Sequence, residues 1–116
     1  TLLRLALTSA LLLAPTLSQA NDFPTADRVL YVQECVRDNP GPHYEMINKC
    51  SCALDKIAGE VKFAEFTSMS TVVKAISIGG ERGGQMRDNE SLKPQIARYR
   101  ELQAKARKAC FIGPPQ

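Results

Sequence analysis

Apolar residues recur at spacings of three and four along most of the chain, the period of a helix with one buried face. Val29, Val32, Cys35 and Val36 form the first such run. Thr25 is placed to cap it, and Asp27 falls in the first turn, where a carboxylate suits the positive end of the helix dipole. Asn39-Pro40-Gly41-Pro42 cannot continue a helix and reads as a rigid connector. A second stripe, Met46, Cys50, Ala53, Leu54 and Ile57, predicts a helix over about 43–58 with Gly59 as its C-cap. The short connector makes the two an antiparallel hairpin.

Phe66, Met69, Val73 and Ile76 predict a third helix over about 64–76. Its upper half is rich in Ser, Thr and Val and would also suit a short strand, but no partner strand is evident elsewhere. A last helix is expected from Ser91, as N-cap, with Pro94 in its first turn. Leu92, Ile96, Tyr99, Gln103, Ala106 and Cys110 make its stripe, and Gly113-Pro114-Pro115 stops it. Lys105, Arg107 and Lys108 gather at its C-terminal end, where the dipole favours cations. Residues 21–24 read as a polar leader and 79–90 as the one long loop. The expectation is an all-α fold of three to four helices.

The first 20 residues break this pattern. Arg4 precedes an apolar run from Leu5 to Ala14, Pro15 ends it, and Ser18-Gln19-Ala20 puts small residues at the last and third-last positions. This is the layout of a secretory signal peptide cleaved after Ala20. The run is shorter than the roughly 20 apolar residues a membrane helix needs. The alternative is an uncleaved N-terminal anchor. With cleavage, residues 21–116 form a single domain without a membrane span, in the periplasm or secreted. Its surface-to-volume ratio leaves a thin stability margin.

Four cysteines fit that need. Cys35, Cys50, Cys52 and Cys110 all fall after the leader, and an even count in a short exported chain reads as a disulfide framework of three possible connectivities. Cys50 and Cys52 point about 200° apart on a helix, so a bond between them would unwind it. Cys35–Cys50 across the hairpin with Cys52–Cys110 is preferred, and the crossed pairing stays open. By chain entropy the short and long loops are worth about 3 and 4 kcal/mol.

The same residues offer sharper chemistry. Cys50-Ser51-Cys52 would be a redox pair if bonded to itself, although it is not the Cys-x-x-Cys of a strand-to-helix turn. His43, Met46 and Cys50 share a helix face and would suit a soft ion such as Cu(I) if the thiol were free. The structural reading, a first-turn His, a core Met and half-cystines, is preferred, with no metal and no cofactor. The Gly79-Gly80-Glu81-Arg82-Gly83-Gly84 run lacks the spacing of a phosphate or dinucleotide loop. It reads as a connection between helices, or as a partner-binding loop with Arg82 and Arg87 as anchors.

The formal net charge of +3, lowered by one when Arg4 leaves with the signal peptide, is too small to argue for nucleic acid. With one His and no nucleophile motif, nothing assembles a catalytic group. The Cys35…Cys50-Ser51-Cys52…Cys110 layout resembles that of small bacterial periplasmic proteins with a signal peptide and four cysteines. That resemblance implies a compartment and a stapled fold, and no activity. In size and helical content the chain is also similar to small periplasmic acid-stress chaperones and to immunity proteins of secreted toxins, without a residue-by-residue match. The function expected is a non-enzymatic periplasmic accessory or protein-binding module acting on another periplasmic protein. The alternative is a thiol-redox or copper-handling protein using Cys50 and Cys52.

Overall fold

The computed structural model describes residues 21–114, and the signal-peptide segment lies outside them. The described chain is helical, without strands: α1 (Thr25–Asp38), α2 (His43–Ala58), α3 (Phe63–Ile76), α4 (Glu81–Arg87) and α5 (Lys93–Ala109), with a 3-10 turn at Glu90–Leu92. The helix alternative for 64–76 therefore holds over the strand. α2 packs against both α1 and α5, α5 also packs against α3, and α4 rests on α3.

The core lies where α2, α3 and α5 meet. α2 buries Met46, Cys50, Ala53, Leu54 and Ile57, the stripe its periodicity predicts. Met69 of α3 and Leu102, Ala106 and Cys110 from α5 and its end close over it. Two disulfides staple the arrangement: Cys35–Cys50 joins α1 to α2, and Cys52–Cys110 joins α2 to the end of α5. They leave no free cysteine.

The structure corrects the sequence reading in four places. Residues 21–24 are not a polar leader: Phe23 is buried, with its ring 5.2 Å from Phe63 and 5.3 Å from Phe66. Asp22 Oδ1 accepts from the Phe63 N–H at 3.0 Å, so the start of α3 is capped by a residue 41 positions away. Thr25 is the first residue of α1 rather than its cap, since Pro24 holds that place without a side-chain bond. Asn89, not Ser91, caps the next segment, accepting from the Ser91 N–H at 3.0 Å.

The fourth correction falls on 79–90, which holds helix α4 where a long loop was expected. Gly80 turns the chain with φ +84. Gly83 then lies so close to α3's end that a Cβ there would sit 1.7 Å from the Ile78 carbonyl oxygen. Arg87 Nη1 donates to the carbonyls of Ile76 and Ile78, both at 3.0 Å, satisfying groups the end of α3 leaves open. Of the glycines that mimic a binding loop in sequence, Gly80 serves the turn and Gly83 the close packing.

α5 ends on the helix-termination pattern in which the second residue beyond the cap bonds back to the last turn. The Ile112 N–H donates to Arg107 O at 2.9 Å, and Ile112 is buried. Between them Phe111 is forced to φ +60, a position glycine usually fills.

Candidate functional site

α1 has an unusual place in this fold. It is bonded to α2 through Cys35, yet none of its residues is buried. Val29 is 50% and Leu30 56% exposed, while Val32, Cys35 and Val36 are half-buried. Val32, Cys35 and Val36 touch the edge of the core, and Val29, Val32 and Val36 also line a groove.

That groove runs between α1 and α2 and has a volume of about 660 Å³. Val29, Val32 and Val36 form one wall, Ile47 and Ser51 the other, and Leu54 lies at the bottom. Two facts of sequence build it. Val29, Val32 and Val36 follow one helical stripe, and the hairpin turns that stripe toward α2. On α2, Ile47 and Ser51 stand beside the buried Met46–Cys50–Ala53–Ile57 stripe and turn one apolar and one small polar side chain to the groove. Gln33 and Arg37 border the groove on α1, and His43 and Asp55 on α2.

On its other side α1 leans over an aromatic layer. Tyr31 meets Phe66 edge to face and Tyr99 packs on it at a tilt, with centroids 6.2 and 5.9 Å away. Tyr31 Oη donates to Gln103 Oε1 at 3.0 Å. Burial is the largest cause that pushes the Tyr31 phenol up to about 12, and burial likewise raises Tyr99. Tyr31 thus stays protonated at any physiological pH and acts as a hydrogen-bond donor, not a base. A cleft of about 360 Å³ lies above this layer, where Lys74 Nζ approaches Glu34 Oε2 at 3.9 Å. At its end Arg107 Nη2 donates to Asn39 Oδ1 at 2.9 Å and to the Gly113 carbonyl, tying the end of α1 to the tail. These bonds brace the C-terminal half of α1, while the buried Phe23 and the Asp22 bond to α3 hold its start.

The other residues singled out in the sequence fall apart in space. Cys50 is fully buried and bonded to Cys35, and Cys52 is bonded to Cys110, so Cys50 and Cys52 form no pair. His43 lines the α1–α2 groove, whereas Met46 packs against Gly41 and borders a different pocket with Ile112. Cys50 offers the pair no thiolate. Arg87 is engaged with the end of α3, and Arg82 is exposed on α4. The sequence reading missed Ile47, Ser51 and Asp55. The signal was present, since Ile47, Ser51 and Leu54 repeat at four and three beside the stripe taken as core.

No family model, curated protein or solved structure matches the chain.

Proposed function

We propose that the protein is a non-enzymatic binding module of an oxidising extracytoplasmic compartment, the periplasm or the exterior, and that it engages another protein through the α1–α2 groove. One observation carries this reading: a helix held in place by a disulfide fully buries none of the apolar residues that its sequence pattern marks for burial, leaving Val29 exposed and Val32 and Val36 half-buried along an open groove. Apolar residues grouped along a groove with a polar border are the usual make-up of an interaction surface. Two disulfides fit the compartment. No described helix is long and apolar enough to cross a membrane. The redox and copper readings draw no support from long-range bonds that occupy all four sulfurs.

The test is a groove variant, Val29→Asp with Ile47→Asp, compared with an α5 surface variant, Arg100→Asp, in partner recovery from the producing cell's envelope. Thermal unfolding confirms that each variant is folded. Loss of a specific partner only in the groove variant is expected. An unchanged partner set in a folded groove variant overturns the proposal.

A further inference from the structure

We infer that the α1–α2 groove receives a single amphipathic helix of a partner protein, with a carboxylate on one edge and a base on the other; this deepens the reading just given and rests on it. The shape argues for a helix. Thr25, Val29, Val32 and Val36 repeat at four, three and four on α1, and Ile47, Ser51 and Leu54 at four and three on α2. Two such seams side by side make the surface into which a third helix sets its own apolar stripe. The wall from Thr25 to Arg37 is roughly 18 Å long, room for about three turns.

The charges argue for the occupant's pattern. Arg37 stands on the α1 border. Its Nε meets the neighbouring Asp38 at 3.0 Å, and its terminal nitrogens have no partner among the described residues. Asp55 stands on the α2 border, exposed, and makes no ion pair among the described residues. The Cys35–Cys50 bond fixes the register of the antiparallel helices, which sets Arg37 level with Asn48. Asp55 is then seven residues further along α2, roughly 10 Å down the groove. An occupying helix that answers both carries a Glu and a Lys about two turns apart on opposite edges of its apolar stripe. Arg28 and His43 also border the groove.

The probes are three synthetic helical peptides of about three to four turns that share one leucine stripe. At the two edge positions they carry Glu and Lys, Glu and Glu, or Lys and Lys. Such a helix reverses direction in the groove by exchanging its edges, so merely swapping Glu and Lys would discriminate nothing. Each peptide is titrated against the exported protein and against its Arg37→Glu and Asp55→Lys variants, following backbone amide shifts by NMR. The mixed peptide should bind the natural protein best, the Lys-Lys peptide the Arg37→Glu variant, and the Glu-Glu peptide the Asp55→Lys variant. Each preference over the next-best peptide should be about five- to tenfold, the scale of one exposed charge pair turned from attraction to repulsion. Shifts should centre on Val29, Val32, Val36 and Ile47. Groove-centred binding without charge preference overturns this inference and leaves the binding-module reading standing. Absence of binding by every peptide overturns helix docking, while the envelope experiment judges the module separately. A concentration-dependent dimer abolished by Val32→Glu would assign the groove to a second copy and overturn it too.

Discussion

α1 and α2 are joined by one disulfide and carry the same kind of apolar periodicity, yet α2 buries five residues and α1 none. The difference lies in their neighbours. α2 has α1 on one side and α5 on the other, so its stripe meets side chains wherever it turns. α1 has α2 and, at Tyr31, the edge of the aromatic layer. An apolar stripe states that a face avoids water; how many elements arrive to cover it is decided by the topology. Where too few arrive, the same stripe is left partly open to solvent along a groove.

The largest effect expected along this contrast comes from the staples. Cys52→Ser with Cys110→Ser releases a loop of 58 residues and should cost about 4 kcal/mol, against about 3 for Cys35→Ser with Cys50→Ser, which releases 15. Denaturant unfolding compares them. The second pair should also free α1 selectively, raising amide exchange in α1 while α2, α3 and α5 stay protected. Next comes the core itself. Ile57→Ala should destabilise by about 3 kcal/mol, because a 1% exposed side chain leaves a cavity. Val29→Ala on the facing helix should cost less than about 0.5 kcal/mol. Equal losses would dissolve the contrast.

Tyr31 sharpens the boundary where α1 does gain support. Its folded-state phenol is raised from 10.0 to about 12. The neutral form is therefore favoured on folding, and the unfolded chain loses this proton first as pH rises. The stability that Tyr31 lends is full below pH 10 and lost progressively as pH rises through about 12, up to roughly 3 kcal/mol. Rapid unfolding measurements across that range should show a drop that Tyr31→Phe reduces, leaving the smaller part due to the buried Tyr99. A variant that keeps the full drop would place the sensitive group elsewhere.

The smallest expected effect has the opposite sign. Phe111 sits at φ +60 with its side chain 82% exposed. Phe111→Gly relieves a left-handed conformation and loses little packing, so it should stabilise by about 0.5–1 kcal/mol. Destabilisation would mean that the ring packs on something in solution.

Much of this fold was legible in the residues. The α2 stripe and the hairpin follow from periodicity; the opposed directions of Cys50 and Cys52 argued against a bond between them, and the preferred pairing of the two left open is the one observed. What escaped were features set by contacts distant in sequence. Asp22 caps α3 across 41 positions, so nothing local marks it as more than a leader residue. Gly83 is fixed by the Ile78 carbonyl, a partner the glycine run does not reveal. The groove was half legible. Its valines were visible, but their exposure depends on which helices pack where, and single-sequence periodicity carries no such information.

The central claim is that the α1–α2 groove meets another protein, and photo-crosslinking in the producing cell tests it most directly. A benzophenone amino acid is placed in turn at Val29, at Ile47 and at the α5 surface position Arg100. The account predicts one shared, discrete adduct from Val29 and Ile47 and none from Arg100. No adduct from either groove position, or the same adducts from all three, would contradict it.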